Sequence, residues 1–231
     1  MSLHQLTAGL VGPRDPAQPL LTYLDGDARV ELSGSTTANW VSKTANLLTD
    51  GYGGPAAVGL LLPLHWQAVC FLLGGVAAGA RVVVAATADD LADCELAFVS
   101  GDQAEAVLGA GVEEVLACSL TPFGTRLSEL PPMVLDAAVE VPGYGDHFSG
   151  RPASAEVWLG ASRFEPPPPG VGAGDRVLTA LDPASSTGLG ALLGTLRAGA
   201  ALVLLRSGDR EQALRGESAT AWVDESGLHR V

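Results

Sequence analysis

The stretch LLGGVAAGARVVVAA at 72–86 returns as LLGTLRAGAALVLLR at 192–206. The two can be superposed at an offset of 120 residues, with seven of 15 positions identical: Leu, Leu, Gly, Ala, Gly, Ala and Val. The same offset pairs Pro63 with Pro183, each following an apolar run. Each copy reads as an apolar strand, a helix, an Ala-Gly-Ala turn and a second strand. The turns, at Ala78, Gly79 and Ala80 and again at Ala198, Gly199 and Ala200, end the helix and let the next strand pack beneath it. Two βαβ units predict two similar substructures side by side.

Working outward, continuous apolar runs at 56–62 and 82–85 suit strands buried on both faces, as in a parallel sheet. The segment 66–78 is apolar nearly all round and reads as a buried helix. Further strands are expected at 95–99, 114–118, 156–159, 177–181, 202–205 and 219–223. Helical stretches between several of them argue for mostly parallel sheets with right-handed crossovers. Ahead of the first unit, 21–24 and 29–32 flank Asp25, Gly26 and Asp27, a hairpin pattern. Ser33, Ser35 and Thr36 offer caps for a following helix that Gly51 and Gly53 stop. Pro166 to Pro169, with Gly170, Gly172 and Gly174 behind them, read as an exposed stiff connector. The division expected is an irregular leader at 1–20, a first α/β subdomain at 21–145 and a second, shortened one at 146–231.

Composition narrows the function. Thirteen basic residues face 26 acidic ones, a net charge of −13 in 231 residues. A polyanionic partner such as DNA or RNA is therefore not expected, because binding needs cations to displace counterions. No apolar run reaches the roughly 18 residues of a membrane span, and the N-terminal stretch has no signal-peptide pattern. A cytoplasmic protein is expected. Cys70, Cys94 and Cys118 are widely spaced and read as buried thiols. No His or Cys pair has metal-ligand spacing, and Asp89, Asp90 and Asp93 read as a solvated turn. Of 13 basic residues one is a lysine, Lys43, expected to face solvent.

Residues 22–86, 94–101 and 174–206 together resemble adenylate-forming enzymes of the AMP-binding, acyl-CoA-synthetase-like family, including short actinobacterial relatives. The hairpin, the Ser-capped helix, the strand ending at Leu62 and Pro63, the buried helix and the Ala-Gly-Ala turn follow the family's order. The resemblance implies an α/β fold of two pseudo-repeated subdomains, like the N-terminal part of those enzymes. It implies ATP, AMP or CoA as ligands, while the residues themselves call for no cofactor and no metal.

The departures from the family matter as much. The stretch at 146–165 matches the family's phosphate loop, yet lacks its Ser/Thr/Gly-rich cradle and its lysine; Arg151 or Arg163 could supply a charge but sit in no such cradle. The later motifs for adenine, ribose and magnesium are not in this sequence. Adenylation rests on charge stabilisation at phosphorus, so the expectation is a non-catalytic remnant of an adenylate-forming ligase, binding a small ligand or a protein partner. The alternatives are an enzyme acting on a nucleotide, acyl adenylate or CoA derivative, and one half of a split ligase. Surface covered by a further domain in relatives would suit a homodimer or another protein.

Six residues are the candidates for ligand contact. Ser185, Ser186, Thr187 and Gly188 open the second repeated helix, where an N-cap and an anion site are both expected readings. His65 and Trp66 open the first, where a packed, capped helix end competes with a pocket at the carboxyl edge of a sheet.

Overall fold

The computed structural model describes residues 15–150, 155–167 and 170–231. Most of the expected leader, Arg151, and Pro168 and Pro169 of the proline run lie outside the described residues.

Strands β1 (Pro19–Asp25) and β2 (Ala28–Ser33) make the expected hairpin, turning at Gly26 with φ +58°. Helix α1 (Gly34–Asn46) begins where the Ser33 hydroxyl accepts the Thr36 N–H. The first βαβ unit is β3 (Ala57–Leu61), α2 (Trp66–Ala78) and β4 (Arg81–Val84). Then come β5 (Leu96–Ser100), α3 (Ala104–Gly109), β6 (Glu114–Cys118), β7 (Val134–Asp136), α4 (Ala137–Glu140), β8 (Glu156–Leu159) and β9 (Ser162–Arg163). The second unit is β10 (Arg176–Thr179), α5 (Ser186–Arg197) and β11 (Ala201–Ser207). Helix α6 (Arg210–Gly216) and the hairpin of β12 (Ala221–Asp224) and β13 (Gly227–Arg230) complete it.

The chain is α/β, as its pattern of apolar runs predicts. One sheet has the order β7-β6-β5-β3-β4-β8-β9 and the other β13-β12-β10-β11-β1-β2. Every pair is parallel except the three hairpins. Sheet partners cross the boundary at 146 expected from the sequence. Strand β1 pairs parallel with β11, Leu21 against Leu202, and β8 pairs parallel with β4, Val82 against Val157. The early hairpin therefore completes the later sheet, and β8 and β9 extend the earlier one.

Alternation along the strands places the layers. Val58, Leu60, Val82, Val84, Leu96 and Phe98 share one core with Leu21, Tyr23, Leu202 and Leu204 of the other sheet. Helices α1, α2 and α5 fill the space between them, contributing Val41, Phe71 and Leu192 among others. The opposite face of the first sheet, through Leu61, Val83, Ala97 and Val99, packs on Leu91 and on Val107 of α3. The opposite face of the second, through Leu178, Val203 and Leu205, packs on Ala213 and Leu214 of α6. A helix enclosed by two sheets has no solvent face, which is why twelve of the thirteen residues of α2 are buried.

The repeat holds at the level of backbone. His65 and Ser185 are both N-caps, and the helices end on Gly79 and Gly199 with φ +86° and +72°. Strand β10 stops at Thr179, short of the expected Leu181, because the Thr179 hydroxyl accepts the Leu181 N–H and turns the chain.

Candidate functional site

At the start of α2 the His65 ring caps the helix: Nδ1 accepts the Gln67 N–H at 3.2 Å, and Nε2–H donates to the Thr121 carbonyl at 3.2 Å. These two bonds fix a neutral tautomer. Burial, with 1% of the residue exposed, holds the imidazole down to about pKa 4. Trp66 donates from Nε1 to the Pro122 carbonyl at 2.9 Å and packs on Trp40 of α1 at 5.1 Å. Both residues hold the 119–125 loop against the helix.

At the start of α5 the Ser185 hydroxyl accepts the Gly188 N–H at 3.0 Å and donates to the Asp182 carbonyl at 2.8 Å. Gly188 has no room for a side chain, since a Cβ there would stand 2.0 Å from the Asp182 carbonyl oxygen. Ser185 and Gly188 thus build the turn, while Ser186 and Thr187 look out from it onto a groove of about 410 Å³.

The floor of that groove is one face of α5. Ser186, Gly190 and Gly194 form one row and Thr187, Ala191 and Thr195 the next, the i, i+4, i+8 spacing of a helix face. Phe164 and Pro167 make one wall, Val223 and Leu228 of the C-terminal hairpin the other, with Gly170 and Val171 between them. The chain at 164–167 lies close on the helix: a Cβ at Gly190 would meet Pro167 Cδ at 3.3 Å.

Comparison of the two units explains why the groove exists. In the first, α2 meets α1 through Trp66, edge-to-face with Trp40, and through Gly74, where a Cβ would stand 2.4 Å from Thr44. The 120-residue offset carries Trp66 to Ser186 and Gly74 to Gly194, both on the groove floor. The face that α1 covers in the first unit carries small residues and the groove in the second.

The hairpin wall is tied in place by Asp175. Its carboxylate accepts the Gly172 N–H at 2.8 Å, the Thr220 hydroxyl at 2.7 Å and Arg230 Nη1 at 2.7 Å, and those bonds draw its pKa down to about 2.

Other candidates fall elsewhere. Lys43 does not face solvent freely as expected: Nζ donates to the carbonyls of Pro142 and Tyr144. Asn46, one turn on, bonds the carbonyls of Gly145 and His147, so α1 clamps the whole 142–147 segment. Asp90 closes a capping box on Thr87, beside Asp89 and Asp93 in a polar pocket of about 280 Å³. Among the described residues no group of three His, Cys, Asp or Glu could hold a metal ion, and no helix is long and apolar enough to cross a membrane. Cys70, Cys94 and Cys118 are buried, which raises all three thiols, Cys94 to about 11. Thr195, Phe164 and Leu228 were not legible as site residues. The signal that the repeat did carry lay at Ser186 and Gly194, equivalent to Trp66 and Gly74, where α1 covers α2.

No family model matches the chain. A TIGR03089 family protein of Mycobacterium tuberculosis is 36% identical over 210 residues, covering 84% of this chain and 86% of that protein. The chain belongs to the TIGR03089 family. Among solved structures, a Brucella canis acyl-CoA synthetase superposes with TM-score 0.76 at 16% identity, over 94% of this chain and 46% of that one. The anthranilate CoA ligase AuaEII, solved with anthranoyl-AMP, gives 0.73 at 15% identity over 97% and 49%. MatB of Rhodopseudomonas palustris gives 0.71 at 17% identity over 96% and 49%. The chain spans about half the length of the solved structures it matches. The fold of this TIGR03089 member is that of the N-terminal part of the adenylate-forming acyl-CoA synthetases, as the sequence resemblance implied.

Proposed function

We propose that this chain is a ligand-binding member of its family that does not itself form acyl adenylates, and that its ligand, a small organic molecule, lies in the groove on α5. The groove carries this reading. It is concave, mainly apolar, and furnished with a few convergent hydroxyls, the usual make-up of a small-molecule site. Ser186 and Thr187 are the contacts; Ser185 and Gly188 hold the turn that presents them; His65 and Trp66 hold the corresponding turn of the first unit. The imidazole and indole N–H groups at that first turn donate to the 119–125 loop rather than outward.

Electrostatics weigh against autonomous adenylation. Phosphoryl chemistry needs positive charge aimed at the phosphates, and the single lysine of this sequence is held on two backbone carbonyls of the 142–147 segment. The Gly188 amide at the head of α5 is already bonded to Ser185.

A thermal-shift panel tests both parts. The ligands are ATP with magnesium, AMP, CoA, an acyl-adenylate analogue, and a set of aromatic acids and amides. A compound at about 100 times its Kd stabilises by ~2.7 kcal/mol. The expected result is a shift with aromatic compounds that Gly194→Leu abolishes, because that side chain projects from the groove floor, and no carboxylate-dependent ATP–pyrophosphate exchange. Measurable exchange, or a nucleotide shift indifferent to Gly194→Leu, would overturn the reading.

A further inference from the structure

Resting on the groove reading, we infer that the ligand is an uncharged, largely apolar molecule bearing a carbonyl or hydroxyl group, and that the hydroxyl of Thr195 binds that group.

Among the described residues lining the groove, the one ionisable side chain is Glu165, an acid at the rim paired with Arg163 at 3.1 Å. That arginine is also bonded to Glu156 at 3.2 Å, so its charge is shared between two carboxylates. A carboxylate or phosphate entering the groove would shed water without gaining a cation, and burying an unpaired charge is far more costly than burying a neutral polar group. The net charge of −13 adds a repulsive background.

Thr195 offers the groove a hydroxyl group. It lies in the last turn of α5 and is 3% exposed. Threonine in a helix commonly donates to the carbonyl one turn back, as Thr44 does here to Trp40 at 2.8 Å. Thr195 makes no such bond: among the described residues its hydroxyl has no partner, and the residue lines the groove. Its hydroxyl is reachable from the groove rather than sealed in the core, and a ligand carbonyl or hydroxyl there would pair with it in place of solvent. The position corresponds to Gly75 in the first unit, which packs directly against Val82 and carries no polar group. The hydroxyl is therefore not a requirement of the repeated fold. Thr187, two turns earlier on the same row, and Ser186 beside it offer neutral hydrogen-bonding groups near the mouth.

The test compares ligands that differ in charge alone. Calorimetric titration of the wild-type protein with cinnamamide against cinnamate, and 2-naphthamide against 2-naphthoate, at pH 7 should show each amide binding roughly tenfold or more tightly than its acid. Thr195→Val should weaken amide binding by roughly three- to tenfold while leaving the thermal midpoint of the free protein unchanged or higher. Thr195→Ser should restore the binding. An acid that binds as well as its amide overturns this inference and leaves the groove reading standing. So does a Thr195→Val protein that melts earlier yet keeps full amide affinity, because the hydroxyl would then be structural. If no member of either pair binds and Gly194→Leu changes nothing, the groove reading falls, and this inference with it.

Discussion

At Gly74 a Cβ would stand 2.4 Å from Thr44, while at the repeat-equivalent Gly194 the nearest atom is the Pro167 carbonyl oxygen at 4.0 Å. The same substitution should therefore act with opposite sign. Gly74→Ala forces α2 off α1 and should lower stability by about 1–3 kcal/mol; Gly194→Ala should be neutral or raise it by up to ~1 kcal/mol through helix propensity. Urea denaturation of the two variants decides it, and equal losses would refute the reading of the groove floor as open. His65 gives a pH signature. Its folded pKa of about 4 lies below the ordinary 6.5, so the unfolded chain takes up the proton first. Stability should be level above pH 6.5 and fall by ~3 kcal/mol as pH drops from 6.5 to 4. His65→Asn keeps a cap and should flatten that slope; a slope unchanged in the variant would assign it to other groups. Caps were legible because capping is local: Ser33 and Ser185 act within three residues of themselves. Lys43 was misread because its carbonyl partners lie 99 and 101 residues away. Thr195 gave no sign, since a lone threonine in a helix carries no information about which face will be left uncovered.

Among the elements, α6 and the strands beneath it meet at Glu217. Its carboxylate takes Arg29 through two bonds, at 2.7 and 3.0 Å, and Arg176 at 2.6 Å, and the side chain is 8% exposed. Those guanidinium donors hold its pKa down. Glu217→Ala would take from the mostly buried Arg176 its nearest carboxylate, while the half-exposed Arg29 keeps Glu31, and should cost about 1–3 kcal/mol. Because the pair is sheltered, the loss should persist in 1 M salt, whereas loss of the exposed Arg163 pairs should be undetectable there. The C-terminal hairpin depends on Asp175, whose lowered pKa means the tie is fully present above the ordinary value of 3.8 and is lost as pH falls through about 2. Asp175→Asn should speed amide hydrogen exchange in β12 and β13 while leaving β3 to β6 unchanged; uniform acceleration everywhere would mean the tie is not local. The long apolar elements could be read from sequence because each has one dominant pattern, and helix α2 occupies the residues expected of it. Strands β7, β9 and β13 could not. They are two to four residues long and partly exposed, and GLHR at 227–230 carries no apolar run to mark it.

Across the whole molecule the two sheets share a core and exchange elements. Leu21 and Tyr23 belong to the same cluster as Val58 and Phe98, and as Leu202 and Leu204. Heating should consequently give one calorimetric transition with matching van't Hoff and calorimetric enthalpies; two separable transitions would show that the sheets unfold independently. That a hairpin lay at 21–32 was evident in the residues, but its place in the later sheet was not, because pairing between Leu21 and Leu202 leaves no mark on either segment. This exchange has a consequence for the protein's birth on the ribosome. Strand β1, with Leu21, Tyr23 and their neighbours, emerges first, and its parallel partner begins only at Ala201. At bacterial and eukaryotic synthesis rates of about 5–20 residues per second, the hairpin must wait roughly ten to thirty seconds with its apolar face unclaimed. A nascent chain of this protein is thus a natural client for ribosome-associated chaperones throughout that interval, and one that is released from them by the arrival of a single strand.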